Sequence, residues 1–429
     1  MKTKLLGTAL ALTVAAAPIA AIAGGVGGGN ANSNWTIYGW QNWSYEWVDV
    51  KQSDGAGGTT SRNTQRINNN AANIGFAASI DTGMSMMGSP IKANFQCEQF
   101  TFSNRFNGFS DFCNRNSKIS LSGGFGEFMF GQWLLPYNEM VAQWVDPFYD
   151  AGADSHTSIM GNVGGGQSFF YNGSFGPSQA FNRRQEEVVQ YFSPNLNGFT
   201  FRLATTNAAT AGGAGNGDNL VTDNLGNSSK LDPRIWSTGV AYETTFASGN
   251  NLWLAATYEK HDEWAAVQNG CSDSDDDSYR IAGRYIHQWS NGMATQVSAM
   301  WENLEYDWED CVAVPITAVQ DGTGNMDVER DAWMVSAKQS FGNGFDIRFS
   351  YMDGDELDCD SGCTTDSSTD ATAMNVGVFY TMPAGTELRL TYSEVDNESN
   401  SQYDFGIGGS GTAVGEDPEM IAVGIVQWF

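Results

Sequence analysis

Beyond its first 23 residues this 429-residue chain has no run of about 18 consecutive apolar residues, so it offers no transmembrane helix. Cations are scarce: 21 Lys and Arg stand against 49 Asp and Glu, a formal net charge of −28. Without a basic surface to neutralise phosphates, nucleic acid is excluded as a partner. Histidine is scarcer still, at three. His156 sits beside Ser155 and Ser158, but no orienting partner is evident; His261 and His287 carry no motif, and His287 has the parity of a membrane-facing position. No nucleophile motif, phosphate loop or dinucleotide fingerprint is present, so an enzyme is not expected. Proline is held to 10 residues, whereas glycine reaches 50 and aromatics 13%. That balance suits a β structure with one apolar and one wet face.

The N-terminus reads as an address. Lys2 and Lys4 precede an apolar run from Leu5 to Ala23, and Ala21-Ile22-Ala23 forms an A-x-A cleavage site. Residues 1–23 are expected to be removed, leaving 24–429 as a single exported domain. An uncleaved membrane anchor is the alternative reading of this segment.

Alternation with period two runs through the rest. In "NLWLAATYE" Leu252, Leu254 and Tyr258 share a face, with Trp253, Thr257 and Glu259 opposite. In "FDIRFSY" Phe345, Ile347 and Phe349 oppose Asp346 and Arg348; in "ELRLTYS" Leu388 and Leu390 oppose Arg389. Phe201 and Leu203 oppose Arg202, and Ile281 and Tyr285 oppose Arg280 and Arg284. Short connections such as "GGFG", "WSNG" and "FGNG" alternate with long, acidic, Gly/Ser/Asn-rich ones. Short turns on one side and long loops on the other are how an outer-membrane barrel is written. Sixteen strands are predicted, starting near residues 34, 70, 89, 115, 125, 186, 198, 233, 250, 278, 293, 328, 345, 372, 385 and 419. The fold class is therefore all-β, a 16-stranded antiparallel transmembrane β-barrel. Every backbone group in hydrocarbon needs a partner, so the last strand, "PEMIAVGIVQWF", must pair with Asn34–Val48. Trp428 and Phe429 are then expected in an aromatic girdle at the membrane interface.

A barrel of this size encloses water. Arg202, Arg280, Arg284, Arg348 and Arg389, with Lys338 beside them, fall on the inward parity. Inward charges either simply line water or shape ion passage. One connection, Leu134 to Arg184, is far longer than structureless loops usually are. It carries Glu139, Asp146, Asp150 and Asp154, the aromatics Trp144, Phe148 and Tyr149, and ends on Arg183 and Arg184. Folded into the lumen, its carboxylates would face the wall cations and set a transverse field; the alternative is an extracellular flap.

The motifs "NIGFAASIDTG" (73–83), "IKANFQCEQF" (91–100), "NSKISLSGGFGEFMFGQW" (116–133), "VVQYFSPNLNGFTF" (188–201) and "LTYSEVDNESN" (390–400) resemble the general porins of Gram-negative outer membranes, of the trimeric proteobacterial type. The resemblance covers nearly the whole chain after the leader. It implies a homotrimer with an inward-folded third external loop and passive diffusion of ions and small hydrophilic solutes. It places Lys118, and Arg183 or Arg184, where the family has wall cations. Two departures stand out: Gln132 replaces a usual Arg in "FGQW", and Asn73 stands where a wall Arg is common, with Arg66 or Arg62 able to compensate. Fewer wall cations with retained acids would favour cations.

Six cysteines in an exported chain point to disulfides. Of fifteen connectivities, Cys97–Cys113, Cys271–Cys311 and Cys359–Cys363 keep every pair at the extracellular end; free thiols are the alternative. No zinc spacing is present and no cofactor is expected. The acid runs "CSDSDDDS" (271–278) and "DGDELDCDSGC" (353–363) lack EF-hand spacing and read as solvated loops. A sharper reading has Ca²⁺ or Mg²⁺ bridging them to outer-membrane lipid or lipopolysaccharide headgroups. Two rival functions remain. One is a substrate-specific channel, with Trp144, Phe148 and Tyr149 as a greasy slide for saccharides. The other is a structural or adhesive barrel.

Overall fold

The structure is a computed structural model. It describes residues 26–30, 33–53, 59–70, 72–101, 112–149, 155–161, 163, 181–182, 184–207, 219–222, 228–264, 272–309, 325–361, 367–383, 385–406 and 409–429. Among the described residues no helix is long and apolar enough to cross a membrane.

Sixteen wall strands form one antiparallel sheet that closes on itself. The first four are β1 (Ser33–Ser53), β2 (Thr59–Asn69, resumed as Asn73–Met86), β3 (Ser89–Phe100) and β4 (Ser117–Gly123). Next come β5 (Gly126–Leu134), β6 (Arg184–Phe192), β7 (Phe199–Thr206) and β8 (Arg234–Thr245). The third set is β9 (Asn251–Asp262), β10 (Asp273–Gln288), β11 (Ala294–Glu309) and β12 (Met326–Ser340). The last is β13 (Phe345–Gly354), β14 (Ala371–Thr381), β15 (Thr386–Asn397) and β16 (Glu416–Trp428). Short pieces at Val26–Asn30 and Asp358–Ser361 extend the sheet, and Asn219–Thr222 pairs with Ser228–Leu231 in a separate hairpin.

The seam runs from Trp40↔Trp428 to Gln52↔Glu416. It ends where Phe429 exchanges both backbone hydrogen bonds with Gly39, each at 3.1 Å. A Cβ at Gly39 would run into the Asn73 backbone carbonyl and stand 2.9 Å from Phe429 Cζ, so only glycine fits there.

Burial follows the expected parity. Leu254, Ile281, Ile347, Leu390 and Val423 are exposed, while Trp253, Arg280, Arg389 and Ala422 on the alternate parity are buried. Aromatic pairs band the outer face toward the long loops (Tyr279–Trp301, Trp333–Tyr351) and toward the turns (Phe199–Tyr242, Phe345–Tyr380). A cation in this lipid-facing belt, as in Leu254→Arg, would cost roughly 2–4 kcal/mol.

Three expectations need correcting. The second strand begins at Thr59, not near residue 70: its upper half lacks apolar residues, and the ladder breaks at 70–72, where Asn70 donates to the Asn42 carbonyl at 2.8 Å. The acid run at 271–278 is not all loop, because Asp273 to Ser278 open β10 and alternate across its faces. Trp428 lies on the inward parity and faces the lumen rather than a girdle; Phe429 takes the outward parity.

Candidate functional site

The connection from β5 to β6 folds into the lumen. Its first segment makes two single-turn helices, α1 (Pro136–Glu139) and α2 (Ala142–Val145), and a 3₁₀ turn follows at His156–Ser158. Pro136 sits at the start of α1, where its missing N–H costs nothing. The wall makes room with small inward residues: Met140, Val141 and Val145 pack against Ala241, Ala255, Ala282 and Ala332. Tyr137 N–H donates to Ser237 Oγ at 3.0 Å, and Tyr137 OH accepts from Ser278 Oγ at 2.6 Å and donates to Glu302 Oε2 at 3.1 Å.

Glu302 on β11 is the centre of a buried clamp. Arg280 of β10 donates to it at 3.0 Å through Nε, and Arg330 of β12 at 3.3 Å through Nη2. Gly161 N–H of the loop donates to the same carboxylate at 2.6 Å. The two guanidiniums bind loop atoms as well: Arg280 reaches Asn182 Oδ1 (3.0 Å) and Arg330 the Ile159 carbonyl (3.0 Å). A second inward segment caps this clamp from the last external loop. Tyr403 OH accepts from Arg330, Phe405 joins the same apolar cluster as Ile159, and Gly406 lies against Ser155 and Thr157. The Asp404 carboxylate shapes this segment by accepting from the N–H groups of Phe405, Ser410 and Gly411.

On the opposite side the described residues leave an opening. A cavity of about 300 Å³ lies between Tyr149 of the loop and the wall, lined by Trp40, Asn42, Arg348, Glu387, Arg389, Val426 and Trp428. Arg348 lies 3.6 Å over the Phe379 ring and donates to Glu387 (2.8 Å), Asp346 (3.2 Å) and the Pro147 carbonyl (3.1 Å). Arg389 donates to Asn42 Oδ1 at 2.7 Å.

The expected loop acids do not all face the wall. Glu139 does: it pairs with Arg202 and accepts from Trp133 Nε1 at 3.0 Å. Asp146 turns inward to the loop instead, 3.0 Å from His156 Nδ1, and accepts from the N–H groups of His156 and Phe148. His156 thus has an orienting partner that the sequence did not reveal. Ser155 Oγ approaches the same ring nitrogen at 3.3 Å, on the side that Asp146 already holds. Asp150, Asp154 and Arg183 lie outside the described residues.

The remaining expected cations are engaged. Lys118 pairs with Glu127 at 2.6 Å and lies over Trp133; Arg66 pairs with Glu46 at 2.6 Å; Arg184 Nε donates to Asn116 Oδ1 at 2.5 Å. Arg284 donates to Asn251 at 3.0 Å and covers the Trp144 ring. Gln132 is half-buried beside the Asn114 carbonyl. The aromatic slide separates: Trp144 stacks on Trp253, Phe148 is buried against Phe379, and only Tyr149 faces the cavity. Cys97 and Cys113 are joined, with Cα atoms 4.9 Å apart. Cys271, Cys311 and Cys363 lie outside the described residues, and Cys359 is described in its backbone alone. Among the described residues no group of three or more His, Cys, Asp or Glu could hold a metal ion.

Glu302, Arg330 and Tyr403 were missed. Parity alone places Glu302 and Arg330 inward, but which inward charges meet under a folded loop is decided by tertiary packing.

A closed sixteen-stranded barrel, apolar outside and narrowed by an inward loop, is the architecture of an outer-membrane channel. The profile of the Gram-negative porin family matches residues 8–400, and the chain belongs to that family. Among solved structures it is similar to an anion-selective porin from Comamonas acidovorans, at 19% identity over 92% of this chain and 100% of that one, TM-score 0.62. It is also similar to the trimer form of OmpT of Vibrio cholerae (13% identity, 93% and 100% covered, TM-score 0.51). A third similar structure is Salmonella typhi OmpF in complex with daunomycin (14% identity, 94% and 100% covered, TM-score 0.51). At these identities the likeness is one of fold. No curated protein matches the chain.

Proposed function

We propose that residues 24–429, exported by a leader cleaved after Ala23, form a homotrimeric, water-filled channel for passive diffusion of ions and small hydrophilic solutes. Its lipid-facing belt would sit among outer-membrane lipid and lipopolysaccharide. The reading rests above all on the cavity beside Tyr149, which keeps charged wall residues next to open space. The trimer is supported by the trimer form of OmpT among the similar folds.

Our reading of ion preference departs from the cation preference that retained loop acids implied. Glu139 and Asp146 are taken up by Arg202 and His156. Of the charged residues lining the open slot, two are guanidiniums, Arg348 and Arg389, and one is the Glu387 carboxylate. A narrow slot weighs these charges more heavily than the screened acids of the outer rim. The slot therefore favours anions. Single-channel recording in planar bilayers tests both levels. Steady ohmic steps support the channel, and their absence would mean a structural barrel. A reversal potential of cation sign in a KCl gradient would sink the anion preference alone.

A further inference from the structure

Given the channel reading, the open slot has the chemistry of a binding site. Gly424 lies opposite Arg389 in the β15–β16 register, and a Cβ there would stand 2.9 Å from Arg389 Cγ and 3.2 Å from Cδ. The Arg389 side chain therefore lies flat across β16 and reaches Asn42 on β1 at 2.7 Å. Arg348 is held just as firmly, by the Phe379 ring below it and by Glu387 and the Pro147 carbonyl at its edges. Two guanidiniums fixed in advance spend little conformational freedom on a ligand. Among the described residues that line the slot, two guanidiniums, Arg348 and Arg389, stand against one carboxylate, Glu387. Its other walls are the aromatic rings of Trp40, Tyr149 and Trp428.

We propose that this slot binds a small aromatic monocarboxylate. Arg389 and Arg348 take the carboxylate through paired N–H donors, and the ring lies among Tyr149, Trp40 and Trp428. Two guanidiniums suit one carboxylate, and Glu387 repels a second. A neutral sugar has no charge to set against the guanidiniums. The cavity, about 300 Å³, is of the size that holds a single small ligand.

The full chain in a planar bilayer, carrying chloride current, tests this with sodium benzoate as probe. Benzoate is expected to reduce the current saturably, with half-block at a concentration roughly tenfold lower than for acetate, benzyl alcohol or glucose. Arg389→Gln should raise the half-blocking benzoate concentration about tenfold. Arg389→Lys should fall between, having charge without the paired donors. Gly424→Ala should act in the same direction by lifting Arg389 off its bed. Arg66→Gln, at the outer rim, should leave block unchanged. Equal block by benzyl alcohol or glucose, or no saturation by benzoate on the wild-type protein, overturns the inference while leaving the channel standing. That wild-type series needs no variant to fold. Absence of any conductance overturns both.

Discussion

The two halves of the lumen use the same residue types to opposite ends. Beside β10–β12, Arg280 and Arg330 close on Glu302, and the loops supply a tyrosine hydroxyl, an amide and a carbonyl to complete the set. Beside β13–β16, Arg348 and Arg389 meet Glu387, and a cavity remains. In the first half the charges are fully buried and serve to hold loop to wall. In the second they stay beside open space and can act on what passes. Inward charge on a barrel is therefore not a measure of pore character; the packing above it decides.

The sharpest way to break the contrast is Glu302→Gln. It leaves two buried guanidiniums without their carboxylate, which costs roughly 3–5 kcal/mol. Thermal unfolding should fall markedly and single-channel conductance should rise as the loop loosens, whereas Glu387→Gln should cost less, because Arg348 keeps Asp346 and the Pro147 carbonyl as partners. Next in size is removal of the Cys97–Cys113 bridge, whose cysteines are 16 residues apart. Replacing both by serine should cost about 3 kcal/mol in the chain-entropy account. Its effect on conduction should be confined to the open half, because the neighbouring Glu98–Arg115 pair leads to Trp40. Unchanged conductance noise in the double variant would count against that coupling.

Tyr403→Phe should cost about 1–2 kcal/mol by removing the hydroxyl that accepts from Arg330. Protease sensitivity of the last external loop should rise while benzoate block stays the same. The smallest effect belongs to the rim. Burial, and then the Asp331 carboxylate, push the Asp355 carboxyl above its ordinary value of 3.8. A raised acid is a liability when charged, so stability at this point rises as pH falls through the raised value. Below the ordinary value both folded and unfolded forms are protonated and the difference vanishes. Asp355→Asn should therefore raise Tm at neutral pH by less than about 2 °C, and by nothing near pH 3.

Much of the wall was legible because period two is a local property. Leu388, Leu390 and Arg389 declare their faces without reference to any other strand. The upper half of β2 escaped because Thr60, Ser61, Arg62, Asn63 and Thr64 offer no apolar parity; its partner β1 imposes the strand. The acid run 273–278 escaped for the same reason, since it holds only Asp and Ser and has no greasy side. The lumen was less legible. That Asp146 would meet His156, or that Tyr403 would reach Arg330, depends on where distant loops come to rest. Yet one clue was present: alanine recurs on the inward parity at Ala241, Ala255, Ala282 and Ala332, where a water-lined wall has no need of it.

The Gly39–Phe429 exchange joins segments from opposite ends of the chain. Neither edge of the ribbon can be hidden until its final residues arrive. Up to that moment the unfinished sheet presents two sticky borders to any other polypeptide nearby. Escort during transit, and late zipping at the bilayer, are thus demands written into the order of the strands themselves.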